Sequence, residues 1–386
     1  MSLLCLLATS VMAAEPTFTP EAQLRPRWEE DSGRDQDPGT GRVGYISQRT
    51  RLGGTLELDG VSGRVVISDV RILGSELDTR RDFDAEGLDV RIALLSLRRG
   101  PWTLEVGRHE RGLHEERLLA IANWRQPGRS FDGFRGVWRD GDWTLEGRAL
   151  LTREGDLVDL ATTDQGVPNT QDEGLFVLTG GLDAPTSKLL PLVIFDFDGS
   201  DALVRSTAGV WSRTTRGPLS VRAEAYLQAG VRGDVALRAG MFGMRTTWSP
   251  EVSGSPVLGA AYELLSGDDD NPGRDTTFRT LYGANHKHYG NIDIAMFKTG
   301  GQADGRGLHD LQLLLRASPL DPLQLRLDLH GMWAASDGTR LAIEPDTQVR
   351  VKLAEPLSFV VGANLWLPPT ARSREWMLWS MLDARF

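Results

Sequence analysis

One short stretch concentrates side chains that could bind an anion or take part in catalysis. The run NWRQPGRSFDGFR, residues 123–135, holds three arginines, one serine and one aspartate. A guanidinium can hold a carboxylate through two parallel hydrogen bonds, whereas a serine with an acid and a base can make a hydrolase. The surrounding elements must decide between an anion clamp, a catalytic loop and a strand that carries charge on one face.

A hydrolase in this stretch would pair Ser130 with His109 or His114 and use Asp132 as the acid. The nucleophile spacing G-x-S-x-G is absent around Ser130. We therefore expect no enzyme activity. If the hydrolase alternative held, Ser130→Ala would abolish turnover of an ester or lipid.

Two other groups could suggest a metal ion. The acidic run at Asp268, Asp269 and Asp270 lacks the glycine and the terminal glutamate of an EF-hand loop. His286 and His288 have no third ligand close by in the sequence. A solvated loop explains the acidic run better than calcium does, and no cofactor is expected.

Composition narrows the class of protein. The chain has 386 residues, a formal net charge of -10 and 40% hydrophobic residues. The negative charge argues against a nucleic-acid partner. The moderate hydrophobicity suits a soluble protein, but a membrane β-barrel also averages to such a value because lipid-facing and lumen-facing residues alternate.

The N-terminus predicts export. Leu3–Met12 is an apolar run, and small residues before Glu15 offer a cleavage site, although a positively charged start is missing. We expect residues 1–14 to be a signal peptide; a buried N-terminal strand or helix is the alternative. Cys5, the single cysteine, lies in this segment, so the mature chain would have no disulfide. No apolar window is long enough for a transmembrane helix.

Alternation with a period of two recurs along the chain and indicates strands. In 101–108, for example, Trp102, Leu104 and Val106 share one face, whereas Thr103 and Glu105 share the other. Tight connectors alternate with long polar ones, which is typical of a membrane barrel with short periplasmic turns and long outer loops. We predict strands near 17–30, 43–58, 63–74, 87–98, 101–109, 129–139, 142–152, 174–183, 188–197, 203–213, 218–228, 232–248, 255–265, 307–317, 322–335, 344–353, 357–366 and 376–386.

These segments make an all-β, closed antiparallel transmembrane barrel of about 18 strands, formed by residues 15–386 as one domain. The even count requires residues 266–306 to be one long loop, because a strand near 291–298 would break the parity. The chain ends in a strand with the aromatic Phe386, which is what many outer-membrane barrels present to the assembly machinery. Six tryptophans could form interfacial girdles or pack in a core: Trp102, Trp143, Trp211, Trp248, Trp376 and Trp379.

The sequence then resembles a known family. The steps VGRHE at 106–110, ERL at 116–118, NW at 123–124 and GRSFDGFR at 128–135 resemble the motifs of the alginate export family of outer-membrane proteins. His109 stands where that family usually has glutamine, and Phe134 where it has valine. QLRPRWE at 23–29 and YELLSGDDD at 262–270 are weaker matches. The resemblance implies a monomeric barrel of eighteen strands and an arginine-lined channel for an acidic polysaccharide.

Lumen arginines suit this function, since arginine stays charged and is costly in lipid. The candidate pore-lining and solute-binding residues are Arg25, Arg27, Arg49, Arg51, Arg71, Arg91, Arg108, Arg117, Arg129, Arg135 and Arg148. The candidate carboxylates that would hold them in place are Asp69, Asp89, Glu105, Asp132 and Glu146. A ladder of salt bridges that merely fills the lumen is the alternative.

The sequence thus predicts a bacterial outer-membrane channel through which anionic saccharides or small acids diffuse. A structural or docking barrel with a closed lumen remains an alternative. The expected partners are outer-membrane lipids, the solute, the barrel assembly machinery acting on Phe386, and periplasmic export components.

Overall fold

The strands form one closed antiparallel barrel. The computed structural model describes residues 15–32, 43–73, 88–153, 173–268, 270, 272–298, 305–369 and 374–386. Nineteen strands make one sheet, and the first pairs with the last, which closes it. One of the nineteen is a two-residue strand within a connection, so eighteen strands build the wall. The predicted fold class and strand number are therefore confirmed.

The strand bounds lie close to those predicted from alternation. In chain order the strands are β1 (Thr17–Asp31), β2 (Val43–Leu58), β3 (Val61–Ile72), β4 (Asp89–Arg99), β5 (Trp102–His109), β6 (Phe131–Asp140), β7 (Trp143–Arg153), β8 (Glu173–Asp183), β9 (Ser187–Asp198), β10 (Leu203–Arg216), β11 (Leu219–Arg232), β12 (Val235–Trp248), β13 (Val257–Leu265), β14 (Arg274–Asp275), β15 (Leu308–Leu320), β16 (Leu323–Trp333), β17 (Arg340–Ala354), β18 (Leu357–Trp366) and β19 (Glu375–Arg385). The described residues include no helix with the length and apolar character needed to cross a membrane.

Side chains alternate between the lumen and the outer face. On β5, Leu104 and Val106 are exposed outside, whereas Glu105 and His109 are buried inside. Exposed large apolar side chains recur on the outer face of most strands. Closure of the barrel leaves no backbone edge unpaired in the lipid. The apolar band faces the hydrocarbon chains of the lipid with apolar side chains.

The two ends of the barrel differ in their connections. One end, the turn end, carries tight turns such as Asp59–Gly60, where φ is 46° and 77°. Both central residues of this hairpin turn need positive φ, which glycine adopts at little cost. The other end, the loop end, carries the long connections, together with short ones at 199–202 and 233–234.

Two connections from the loop end fold back into the lumen. The first inward segment, 110–130, joins β5 to β6, and the second inward segment comprises the described residues of the connection 266–307 between β13 and β15. Leu119, Phe278 and Tyr289 are fully buried within them. Together we call these two segments the plug.

The second inward segment contains no wall strand among its described residues, as the sequence predicts. It holds β14, which pairs in parallel with β12, a single helical turn α1 (Asn285–His288) and a π-helical turn (Ile294–Lys298). The acidic start of the segment is half-buried at Asp268 and exposed at Asp270. The chain beyond it does not stay outside, because its apolar residues pack in the lumen.

An apolar cluster joins the plug to the wall. Leu118, Phe278 and Ile292 of the plug belong to one cluster with Leu175 of β8 and Met332 of β16. The wall side of the cluster comes from β6–β9, β11–β13 and β15–β19. The inner faces of β1 and β2 are polar instead, and a separate small cluster of Val66, Ile92 and Leu94 lies on β3 and β4, so the two sides of the lumen have different chemistry.

The tryptophans divide between the two faces. Trp102, Trp143 and Trp248 are exposed at strand ends, where girdle residues lie. Trp211 and Trp379 are only 4% and 3% exposed and face the lumen. For these two residues the structure therefore agrees with the alternative of packing in a core, because they are buried on the inner face.

Candidate functional site

Arginines of β1 and β2 hold the first inward segment by its polar groups. Arg25 donates from Nη1 to the carbonyl oxygen of Asn123 at 2.8 Å, and Arg27 donates to that of Trp124. Arg49 donates from Nη2 to Oδ1 of Asn123 at 3.0 Å. These arginines share the lumen face, so they meet the segment where it crosses the barrel.

Arg91 of β4 and Arg148 of β7 also donate to backbone oxygens of the first inward segment. Arg91 Nη2 lies 2.5 Å from the carbonyl oxygen of Arg129, and Arg148 donates to the carbonyl oxygens of Arg111 and Gly112 at 2.6 and 2.9 Å. A carbonyl in a buried loop needs a donor, and a guanidinium offers five N–H groups in a fixed fork. Several N–H groups of these wall arginines are therefore already donated to the plug.

Carboxylates brace the arginines on the lumen face. Arg135 bridges Glu105 and Glu146, with both N–O distances 2.8 Å. Glu146 also accepts from Arg148 Nε at 2.5 Å. Cross-strand pairs of opposite charge stabilise neighbouring strands, so this part of the wall combines the predicted lining with the predicted ladder.

Arg51 takes part in a similar contact with the plug. Its Nη1 lies 3.3 Å from Oε1 of Glu110, which also pairs with Arg91 at 2.5 Å. One carboxylate of the first inward segment is thus shared by arginines from two strands.

The structure corrects the lumen assignment of Asp69 and Arg71. On β3 they lie opposite Thr50 and Gln48 of β2, and residues paired across strands share a face. Arg49 occupies the other face. Asp69 and Arg71 pair with each other at 2.7 Å on the outer face near the loop end, where charge is tolerated because the lipid core has ended.

Arg108 and Asp132 also lie on the outer face, where they pair at 2.8 Å. Each is three residues from a lumen residue of its own strand, Glu105 or Arg135, and an odd separation reverses the face. Asp89, the first residue of β4, contacts Arg108 at 3.2 Å and is a rim residue rather than a lumen partner.

Arg117 is buried in a charge cluster at the centre of the plug. Its Nη2 lies 2.7 Å from Glu263 Oε1 and 3.0 Å from Glu224 Oε1, and its Cζ lies 5.1 Å from the Tyr289 ring centre. Arg117 is only 2% exposed. It anchors the plug to β11 and β13 and is not available to a passing solute.

The second inward segment is held by acceptors, which the sequence reasoning missed. Asp346 Oδ2 accepts from the backbone N–H of Asn291 at 3.0 Å, and Glu344 Oε1 accepts from that of Ile292 at 2.8 Å. The alternation on β16 and β17 puts these acids on the lumen face, but a search for arginines alone passes over them. The wall also donates to this segment, since Gln228 Nε2 donates to the carbonyl oxygen of Arg279 at 2.8 Å and Gln312 Nε2 donates to that of His288 at 2.9 Å.

Two histidines of the plug are kept neutral near pH 7. Burial lowers the pKa of His114 to about 4, and its ring stacks on Trp211 with centroids 5.3 Å apart. Burial and then Arg117 lower the pKa of His288 well below its usual value. Neutral imidazoles can pack in the apolar centre, whereas protonated ones would lose hydration there.

Three cavities border the plug. The segment cavity, about 310 Å³, lies between the inward segments and is lined by Trp124, Arg129 and His286 among others. The arginine cavity, about 280 Å³, lies against Arg49 and Arg51. The side cavity, about 330 Å³, is lined by residues of 112–115 and of β6–β10.

Arg129 stands out among the cations of the segment cavity. It donates to the carbonyl oxygen of Tyr282, and its Cζ lies 5.6 Å from the Tyr282 ring centre. Within the described part of the chain, no carboxylate pairs with it. Burial and then the charge of Arg125 lower its pKa. An uncompensated guanidinium beside a cavity attracts anions.

The described residues that the hydrolase and metal alternatives require do not come together in one site. Ser130 Oγ donates to the carbonyl oxygen of Arg91 at 2.7 Å, while Asp132 points outward and His109 inward. Among described residues there is no group of three potential metal-ligating side chains. Asp268 Oδ1 accepts from the Thr276 N–H at 3.3 Å, and Asp269 lies outside the described residues.

The fold, the outer apolar band and the plugged polar lumen define a transmembrane β-barrel of the porin architecture, a class found in bacterial outer membranes. The family model described as alginate export matches residues 20–151, so the predicted resemblance is confirmed over that stretch. The match begins within β1, ends within β7 and includes the first inward segment.

Solved porin structures share the fold. OccK11 (OpdR) of Pseudomonas aeruginosa is 15% identical, with a TM-score of 0.61 and 96% of each chain covered. OccK8 (OprE) of the same organism is 12% identical, with a TM-score of 0.64 and coverage of 96% of this chain and 98% of that one. A BenF-like porin from Pseudomonas fluorescens Pf-5 is 11% identical, with a TM-score of 0.61 and the same coverage. No curated protein matches the chain.

Proposed function

We propose that this protein is an outer-membrane channel for passive passage of anionic saccharides or other small acidic solutes. The observation that carries the proposal is Arg129, a half-buried cation that lines the segment cavity and has no carboxylate partner among the described residues. Among the wall arginines, Arg135 and Arg148 pair with glutamates, whereas Arg25 and Arg49 donate to carbonyl and amide oxygens and keep their full charge.

The weak net attraction of this arrangement suits a channel. A solute must bind well enough to enter and weakly enough to leave. Guanidinium groups that are already hydrogen-bonded to the plug, such as Arg25, Arg49 and Arg129, meet this requirement better than a row of free arginines would. The family match supports acidic saccharides as the solute class, and alginate-type polyuronates are the corresponding polymer.

We also propose how the protein is exported and assembled and which components it meets. A signal peptide, residues 1–14, lies outside the described residues and would direct export. Phe386 would engage the barrel assembly machinery, and periplasmic export components would meet the turn end. The barrel would act as a monomer, as the family resemblance implies.

Selectivity tests the role of Arg129. The refolded protein is placed in a planar bilayer under a KCl gradient, and reversal potentials are measured for wild type, Arg129→Gln and the matched control Arg135→Gln. Removing one charge about 6 Å from a passing ion in water weakens the attraction of an anion by roughly 0.7 kcal/mol and relieves an equal repulsion of a cation, so the anion-to-cation ratio should fall about tenfold. Arg135 is already paired with two glutamates, so its variant should change selectivity less.

The apolar cluster favours the second candidate function, a structural or docking barrel with a closed lumen. This alternative predicts no current from correctly folded protein. A cation-selective current would contradict the anion proposal, whereas a steady anionic current reduced by uronate oligomers would support it.

A further inference from the structure

Asn123 lies at the junction of two cavities. It lines both the segment cavity, about 310 Å³, and the arginine cavity, about 280 Å³. Neither cavity shares a lining residue with the side cavity. A solute that moves from one shared cavity to the other therefore meets Asn123, whereas the side cavity is a separate recess.

Asn123 is exposed although it lies inside the barrel. Its carbonyl oxygen accepts from Arg25 at 2.8 Å, and its Oδ1 accepts from Arg49 at 3.0 Å. Its Nδ2 donates to no residue in the described ranges. The side chain is thus fixed by two arginines and keeps a donor for a ligand that enters either cavity.

The chemistry around Asn123 also favours passage on this side of the lumen. Arg49, Arg51 and Glu110 line the arginine cavity, and Arg129 lines the segment cavity. The opposite side of the plug packs against the wall through the apolar cluster. Charged and hydroxylated solutes lose hydration in an apolar contact but can exchange hydrogen bonds along a polar wall.

We propose that solutes cross the plug along the arginine wall, from the segment cavity to the arginine cavity, and that Asn123 is the gate and specificity-determining residue between them. This inference rests on the proposed channel function and assigns its route. Opening requires Asn123 to leave Arg25 and Arg49, and an anion can replace its oxygens on these two guanidinium groups. The exchange favours carboxylate-bearing solutes over neutral ones of equal size.

The test compares two substitutions to tryptophan in the full barrel. Asn123→Trp fills the junction, and Thr144→Trp fills the side cavity, which Thr144 lines. Single-channel conductance is measured in KCl, so the readout does not depend on ion selectivity. We expect Asn123→Trp to lose most of the current and Thr144→Trp to keep it.

Asn123→Ala supplies a variant that does not add bulk. It removes the acceptor for Arg49 and widens the junction, so its conductance should rise above that of wild type. Barrel formation is checked for each variant by its heat-dependent shift in gel mobility. Wild-type conductance from Asn123→Trp, or equal losses from both tryptophan variants, would overturn the route. If Asn123→Trp blocks the current but the wild-type channel is not anion-selective, the route stands and the proposed solute class is rejected.

Discussion

At the scale of single residues, the wall arginines act first as donors to the plug. Arg25 and Arg49 bind groups of Asn123, and Arg148 binds two carbonyl oxygens at the start of the first inward segment. Hydrogen bonds to charged groups contribute about 1.5–3 kcal/mol each when both partners are held in place. An arginine in a barrel lumen can therefore position a loop and still add to the potential that an ion experiences.

Replacing Arg25 should loosen the first inward segment without unfolding the barrel. Arg25→Gln removes donors to Asn123 and Gln126, so local protection should fall by about 1.5–3 kcal/mol. Amide hydrogen exchange of residues 119–126 measures the change. Arg98→Gln is the control, because the Arg98 side chain is 65% exposed. Equal exchange in both variants would show that Arg25 does not hold the segment.

At the scale of elements, the two inward segments behave as one unit. The N–H of Ala120 donates to Tyr282 at 2.9 Å, that of Tyr282 donates to Leu118 at 3.0 Å, and that of Ala284 donates to Glu116 at 2.9 Å. These backbone bonds join the segments as strands are joined in a sheet. A change at their contact should therefore shift both.

A substitution at Gly283 can test this contact between the two inward segments. A Cβ at Gly283 would lie 2.1 Å from the Arg117 carbonyl oxygen, so Gly283→Ala must push the segments apart. We expect higher single-channel conductance and more frequent gating than in wild type. Gly63→Ala is the matched control, since a Cβ there has no neighbour within 4 Å. A Gly283→Ala channel that conducts like the control would mean that the plug is not coupled in this way.

Acid should also loosen the plug through His114. Its pKa is about 4 in the closed plug because of burial, whereas an imidazole in water titrates near 6.5. Between these values the opened plug binds a proton that the closed plug does not. The stability that depends on neutral His114 is thus present above pH 6.5 and is lost as the pH falls toward 4.

The measurement is conductance between pH 7.5 and 4.5 for wild type and His114→Gln. Glutamine keeps a partner for Thr179, which lies 3.2 Å from His114 Nε2, but it cannot take up the proton. The rise in conductance on acidification should be larger in wild type. Identical pH profiles in the two proteins would show that protonation of His114 does not loosen the plug.

At the scale of the whole molecule, the outer apolar band and the closed sheet make the barrel stable in lipid. The band is built from alternate residues of every region of the wall, so its energetics depend on depth rather than on any one contact. The plug fills the lumen that this closure creates. The molecule thus has an apolar exterior and a lumen in which an apolar cluster joins the plug to much of the wall, while arginines of β1 and β2 bind the plug on the polar side.

A charge on the outer face should cost stability according to depth. Leu227 lies in the middle of β11 and is 72% exposed, whereas Leu219 begins the strand and is 44% exposed. Leu227→Arg should destabilise the barrel by about 2–4 kcal/mol and Leu219→Arg by about 0–1 kcal/mol. Guanidinium titration of the protein in lipid vesicles measures both. Equal costs would contradict the assigned lipid-facing band.

Alternation made most of the wall predictable, because a period of two directly encodes which face of a strand meets lipid. It assigned Glu105, Arg135 and Glu146 to the lumen face without knowledge of the register. The lumen assignment is wrong for Arg108 and Asp132, although their own parity places them with the outer residues of their strands. It also missed Glu344 and Asp346, whose role depends on a segment distant in sequence.

The sequence by itself determined the class of fold, the number of wall strands, the separation of tight turns from long connections and the family resemblance. Each of these depends on local periodicity, turn residues or a contiguous motif. Only the tertiary structure decided that two long connections enter the lumen, that the arginines bind their carbonyl oxygens, and that Asn123 joins two cavities. These features arise from contacts between residues about 100 positions apart, such as Arg25 and Gln126, whose meeting is fixed only when the sheet closes.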